Sequence, residues 1–296
     1  MDVKARAFKY VRAETLEAAF DAYAEADGDC VYLAGGQSLV PSLSLRLQAP
    51  AVLIDISRIE ALKGITKSGD VLRVGALTRH AEMLTSPDIA RYAPLLSRAA
   101  PYVAHPAIRN KGTFGGTIAL ADPAAEFPAM TLALDAEFEI AGPEGTRTMK
   151  ADGFFKDLFD TGLEPGDILV AIHIPVFGAN DRCVFHELAR RRGDYAMVGS
   201  GIQGTFDGDR LLSARIAFLS VASTPVRARN AEAAIANQVL SPAVIAAAQA
   251  SLDDDLDPEE NEETSAAMRM HLARVLLGRL LGQLSHADCM LEGVHA

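Results

Sequence analysis

Tryptophan is absent from this chain and cysteine is scarce: Cys30, Cys183 and Cys289 stand far apart, with no C-x-x-C spacing. That excludes an iron–sulfur cluster or a zinc knuckle built from this chain alone, and it suits a reducing cytoplasm. Any redox role must then come from a bound organic cofactor. No histidine pair has zincin spacing and no G-x-S-x-G elbow occurs. No run approaches the ~18 uninterrupted apolar residues of a membrane span. The N-terminal MDVKARAFKY lacks an apolar stretch after its charges, so nothing there suggests secretion. Positive charge is also in deficit. With 28 Lys and Arg against 39 Asp and Glu the net charge is −11, which argues against broad nucleic-acid or anionic-membrane binding. It leaves room for a locally positive pocket.

What is present is ordinary in bulk: 49% apolar and 23% charged residues, as expected of a soluble globular protein. At 296 residues, against about 100–200 per domain, two domains are the default. Residues 14–26 read as an amphipathic helix, 31–34 as a strand, 38–47 as a helix with a Leu39, Leu43, Leu47 stripe, and 51–56 as a strand. Residues 71–77 read as a strand. Thr78 is a candidate N-cap for a helix through Leu84, and Ser86-Pro87 opens another by the cap-then-proline rule. Residues 93–104 look helical and buried, and a short helix carries Phe127, Met130 and Leu134. Strands 136–141 and 145–150 flank a Gly-Pro-Glu-Gly turn, and 167–174 alternates like a strand that Pro175 stops. A boundary is expected at Val176–Asp181, where Gly178 and Asn180 look like linker. Beyond it a meander (197–206, 210–219) turns at Phe206-Asp207-Gly208-Asp209. Helical segments follow at about 226–237, 242–251 and 264–285, with the acidic run Asp253 to Glu263 as a solvated loop.

Two stretches break these patterns. Ala34-Gly35-Gly36-Gln37-Ser38-Leu39 lies between a strand and a helix, with Ser38 a candidate N-cap and Pro41 in the first turn. The segment His105 to Thr117 has no usable period and ends in Thr113-Phe114-Gly115-Gly116-Thr117. Each places adjacent glycines beside a hydroxyl residue. Glycine permits the close backbone approach that a ligand phosphate needs, and a strand–glycine–helix turn presents free N–H groups to an anion. Glycine turns are also common without any ligand. Neither core contains Lys or Arg, so a pyrophosphate here would rely on backbone and hydroxyl donors, each charge-assisted bond contributing roughly 1.5–3 kcal/mol. Neither fits G-x-G-x-x-G or G-x-x-x-x-G-K-[ST], which disfavours a Rossmann or P-loop site.

These two loops, Asp122-Pro123 with Pro128-Ala129, and Arg191-Arg192-Gly193-Asp194-Tyr195-Ala196, in that order, carry a resemblance. The chain resembles, over essentially its whole length, the FAD-binding medium subunit of the molybdenum hydroxylases, the group that includes carbon monoxide dehydrogenase and the xanthine dehydrogenase flavin domain. The resemblance implies an α+β chain: a two-lobed FAD-binding domain of the vanillyl-alcohol-oxidase/PCMH type at 1–177 (lobes about 1–60 and 61–177), then a C-terminal domain of antiparallel sheet plus helical bundle at 178–296. It implies that Ala34, Gly35, Gly36, Gln37, Ser38 and Leu39, with Thr113, Phe114, Gly115, Gly116 and Thr117, wrap the FAD pyrophosphate. By the same resemblance Asp122 bonds the adenosine ribose, Leu169 packs near the flavin and Tyr195 lies against the isoalloxazine ring, though a Tyr after Gly-Asp is also an ordinary strand residue. His105 reads as a cofactor-facing or a structural loop residue, and His186 as a strand histidine.

The chain departs from the family where Phe114 replaces a commoner Ile or Val, where Thr117 replaces Asn, Ser or Asp, and near His186-Glu187, where several relatives carry a cofactor-contacting Lys. The implied partners are a large molybdenum-cofactor subunit and a small subunit with two [2Fe–2S] clusters, assembled as a dimer of heterotrimers, with an external electron acceptor. The implied substrates of such complexes include carbon monoxide, aldehydes and N-heterocycles. A self-sufficient flavin oxidase and a non-redox nucleotide-binding assembly module are the competing readings.

Overall fold

The computed structural model describes residues 5–191, 193–260 and 264–286. The first lobe is a three-stranded parallel sheet, β1 (Lys9–Arg12), β2 (Cys30–Leu33) and β3 (Val52–Asp55), ordered β1-β3-β2. Helix α1 (Leu16–Glu25) covers it, started by the Thr15 hydroxyl accepting from Ala18 N–H. Strand β1 was not expected, because Lys9, Tyr10 and Arg12 are exposed and leave no apolar alternation. Helix α2 (Leu39–Ser44) is shorter than the expected 38–47: only Leu43 of its leucine stripe is buried, while Leu47 is 75% exposed.

The second lobe is built on an antiparallel sheet ordered β4-β5-β10-β6-β7. Its first pair is β4 (Ile65–Ser68) and β5 (Val71–Gly75), joined through Gly69 at positive φ. Five short helices then run α3 (His80–Thr85), α4 (Pro87–Tyr92), α5 (Pro94–Ala99), α6 (Pro106–Arg109) and α7 (Phe114–Leu120). Thr78 is not the N-cap of α3. Arg79 takes that position, and the Thr78 carbonyl accepts from Phe114 N–H instead. Ser86 caps α4 as expected, accepting from Ile89 N–H. The helix expected over 93–104 is only α5, because Pro101 has no N–H to continue the ladder.

Helix α8 (Glu126–Ala133) is almost wholly buried and leads into the hairpin β6 (Glu137–Gly142) and β7 (Gly145–Lys150). The small pair β8 (Phe155–Asp157) and β9 (Asp160–Thr161) precedes β10 (Ile168–Pro175), the central strand of the lobe.

The expected linker is an ordered turn: Phe177 N–H bonds Tyr92 O and Gly178 N–H bonds the Asp181 carboxylate. It leads into β11 (Asp181–Leu188), a strand the expected meander lacked, followed by β12 (Val198–Asp207) and β13 (Arg210–Leu219). The stretch expected to be helical from 226 begins as strand β14 (Val226–Arg227), paired with β13, before α9 (Arg229–Ile235). Then come β15 (Gln238–Val239), α10 (Pro242–Ser251) and α11 (Ala266–Leu284). Positions 253–260 of the acidic run carry no helix or strand; 261–263 lie outside the described residues.

Both faces of the C-terminal sheet are covered. One packs on α11, whose Ala273, Leu276, Leu277, Leu280, Leu281 and Leu284 are buried at helical spacing, each Leu contributing about 1.5–3 kcal/mol. The other shares a single core with α5 and α8: Cys183, Phe185, Ala217 and Leu219 join Leu95, Phe127 and Met130. Gly201 in β12 makes this possible, since a Cβ there would sit 2.3 Å from Met130 Sδ. The sheet and the second lobe are therefore one packed body, which fixes where the β11–β12 loop sits.

Candidate cofactor site

The glycine turns come from different lobes and meet. A Cβ on Gly35 would lie 2.4 Å from the Lys111 carbonyl oxygen and 2.9 Å from Gly112 Cα, so glycine here lets the first turn rest on the backbone entering the second. Gly36 follows at φ +73°, a conformation that suits glycine. The backbone N–H groups of Gly36, Gln37, Ser38 and Leu39 donate to no acceptor among the described residues. Ser38 sits at the N-cap position of α2, yet its side chain makes no cap bond, and its hydroxyl and the Gln37 side chain are exposed. Ala34 and Leu39 are half-buried beside it. Such a set of free donors in a glycine cradle suits a phosphate chemically.

The second turn is different in kind. Phe114 N–H donates to Thr78 O (2.9 Å), Gly115 N–H to Ala76 O (2.7 Å), Gly116 N–H to Thr113 Oγ1 (3.2 Å) and Thr117 N–H to Thr113 O (3.1 Å). Gly115 and Gly116 are thus the first turn of α7, with Thr113 as its buried N-cap. A Cβ on Gly115 would lie 2.8 Å from Ala76 Cα, so this glycine serves close packing against the end of β5. The Phe114 ring is fully buried edge-on to Phe127, at 5.3 Å between centroids. What this turn turns outward is the half-buried edge of Gly116 and Thr117.

His80 braces the arrangement from behind. Burial pushes its imidazole down to about 4, and the neutral ring donates from Nε2 to Thr113 O at 2.9 Å. Arg79 Nη1 donates to the Lys111 carbonyl, fixing within the second lobe the backbone on which the first turn rests. Arg58, Lys63 and Arg79 line a cleft of about 430 Å³ with Thr78 and Glu82, a locally positive spot in an acidic chain.

The β11–β12 loop closes the far side. A Cβ on Gly193, at φ +90°, would lie 2.5 Å from the His105 ring, so this loop lies against the N-terminal end of α6. Arg192 lies outside the described residues. The Tyr195 hydroxyl lies near the Asp122 carboxylate, while the residue stays 73% exposed, an aromatic face with no ring packed on it among the described residues. Loss of solvent around that hydroxyl, then the neighbouring Asp122 charge, raise its pKa. Asp122 Oδ1 also accepts from Ala124 N–H (2.9 Å). Leu169 is buried in the β10 core beside Ile140. His186 is a β11 residue whose Nδ1 is bonded by the Tyr102 hydroxyl at 2.8 Å.

Two acids at this site were not singled out from the sequence. Glu126 opens α8, and burial, then the Asp122 charge, push its carboxyl up to about 7. Glu187 in β11 is 7% exposed and its Oε2 has no partner; burial, then Glu126, push it up to about 8. The signal was available for Glu187: it continues the inward-facing alternation of Cys183 and Phe185.

The sequence model described as the FAD binding domain in molybdopterin dehydrogenase matches residues 6–177, and the CO dehydrogenase flavoprotein C-terminal domain matches 183–284. The chain is 38% identical to the 6-hydroxypseudooxynicotine dehydrogenase complex subunit alpha of Paenarthrobacter nicotinovorans, over 96% of each chain. It is 32% identical to the carbon monoxide dehydrogenase medium chain of Hydrogenophaga pseudoflava, over 93% of this chain and 96% of that one. A solved structure of carbon monoxide dehydrogenase from the same organism aligns with a TM-score of 0.93 at 34% identity, covering 96% of this chain and 99% of the other. Two lobes joined at paired glycine turns, a C-terminal sheet packed on the second lobe and these full-length likenesses together make the chain a member of the FAD-binding medium subunits of the molybdenum hydroxylases, a family of oxidoreductases.

Proposed function

We propose that this subunit is the electron relay of its complex. It takes electrons from two [2Fe–2S] clusters on a small partner subunit and passes them to an external acceptor such as a quinone, oxygen or a nicotinamide. Substrate is oxidised, with water as the oxygen source, on a large subunit carrying the molybdenum cofactor, and the assembly is a cytoplasmic dimer of heterotrimers. Bound FAD supplies the two-electron store; the protein's part is binding and orientation. With three scattered cysteines the chain cannot ligate a cluster itself, so the clusters belong to a partner. Within residues 1–177, Ala34 to Leu39 hold the pyrophosphate and Thr113 to Thr117 wall it in. Asp122 accepts from the ribose diol, Leu169 backs the flavin, and Tyr195 from the C-terminal part (178–296) covers the ring.

The observation that carries this reading is the contact of two glycine turns from separate lobes at Gly35 and Lys111–Gly112, with free N–H groups on the first. Spectra and turnover of the full chain, alone and with its partner chains, test it. The expected result is a flavin spectrum bleached by substrate only in the complete complex. Substrate turnover by the chain alone would overturn the relay.

A further inference from the structure

One turn on the second lobe breaks three local rules at once. Asp157-Leu158-Phe159-Asp160 joins β8 to β9. Phe159 holds φ +56°, a conformation that glycine or asparagine ordinarily fills at the third residue of a turn and that is unfavourable for a bulky side chain. Leu158 and Phe159 are 54% and 56% exposed, so neither side chain gains full burial in return. Asp157 and Asp160 face each other directly across the ladder, where like charges destabilise a strand pair. Neither carboxylate forms an ion pair among the described residues; Asp157 Oδ1 accepts only from Leu158 N–H, at 2.7 Å. The base of the hairpin is the opposite. Phe154 is fully buried, edge-on to Phe138 at 4.6 Å and to Phe155 at 5.2 Å. Gly162 N–H donates to Phe154 O at 2.8 Å, and Arg147, paired with Asp167, holds the Gly162 carbonyl at 3.2 Å. A rigid base thus presents an unfavourable tip.

Local rules give way where a segment is built for something beyond the fold. All the unfavourable features of this tip are relieved by one kind of surface. An apolar socket takes Leu158 and Phe159 out of water, and an arginine or lysine at its rim sits between the two carboxylates. The net charge of −11 on this chain favours such a cationic rim over a second copy of itself. We propose that the β8–β9 turn is a docking finger, received by a cation-rimmed apolar socket on a partner chain of the complex. The proposal rests on the reading of this chain as one subunit of a larger assembly. Phe159 is the anchor, an aromatic ring more than half exposed, and the carboxylate pair fixes its orientation in the socket. Because the base already holds the tip in place, little ordering is left to be done on binding.

The test is assembly of the complex from the full chain and its partner chains, followed by light scattering across dilution. Phe159→Gly removes the ring and suits the backbone, and Asp160→Lys turns a like-charged pair into an opposite one. Each change improves the turn within the chain and removes a contact with the socket. The melting temperature of either variant alone should therefore stay within a few degrees of the wild type or rise. The concentration at which the complex assembles should rise at least about tenfold in both. Assembly unchanged in both variants overturns the docking finger. A clear fall in melting temperature in both overturns it too, since the turn then serves the fold. A wild-type chain that dimerises by itself, with the dimer lost in both variants, assigns the tip to a second copy and overturns the partner chain as occupant. A wild type that never joins its partner chains refutes the subunit reading and the docking with it, a failure that shows before any variant is compared.

Discussion

The two glycine turns look alike in sequence and do opposite things in the structure. Around Gly36 four consecutive N–H groups, Gly36 to Leu39, lack acceptors, and the hydroxyl at the cap position is unused. Around Gly115 four consecutive N–H groups, Phe114 to Thr117, are all committed to the protein, and the hydroxyl at the cap position is committed too. The first turn presents donors with no acceptor among the described residues, which is what the proposed pyrophosphate contact needs. The second is a buried helix start whose glycines exist so that α7 can sit on Ala76. Under the proposed function a pair of similar motifs divides the work: the first would recognise the pyrophosphate, and the second holds the lobe in place beneath it.

That division can be broken most forcefully at Gly115. In Gly115→Val the branched side chain would enter the Ala76 backbone, at a Cα distance already only 2.8 Å from an ideal Cβ. Overpacking against backbone should cost about 3 kcal/mol of folding stability, read from denaturant unfolding, with FAD binding lost as a consequence. Gly35→Ala should separate the two effects. It displaces the first turn from Lys111 O, so FAD affinity should fall about a hundredfold, or ~2.7 kcal/mol, while the melting temperature moves only a few degrees. Equal losses of stability and affinity would say that the first turn is structural as well.

The mildest comparison is between the two hydroxyls. Thr113→Ala removes a helix cap and should cost about 1 kcal/mol of stability. Ser38→Ala removes no bond within the protein, so stability should stay within about 0.5 kcal/mol, while FAD affinity drops roughly fivefold for the loss of one hydrogen bond. Thermal melts and FAD titrations of the two variants side by side check both statements.

Legibility in the sequence followed the same line. Helix α11 emerged almost at its true limits because its apolar stripe is long and periodic, and the paired glycines marked both turns. Strands β1 and β4 did not emerge, since KYVR and ITKS are mostly exposed and their pairing is decided by neighbours far along the chain. The role of Gly115 was hidden for a similar reason: it depends on a contact with Ala76, 39 residues earlier, that no local pattern encodes. Glu187 was read only as the place where relatives carry a lysine. Its burial follows from the strand alternation once this face of β11 is known to pack on α5 rather than meet solvent.

Amide hydrogen exchange of the full chain, with and without FAD, tests the division of roles most directly. The amides of Gly36, Gln37, Ser38 and Leu39 should exchange freely in the FAD-free chain and gain protection when FAD is added. Those of Phe114 to Thr117 should be protected already and change little. Protection gained only at 114–117, with residues 36–39 unchanged, would contradict the assignment of the first turn as the pyrophosphate cradle.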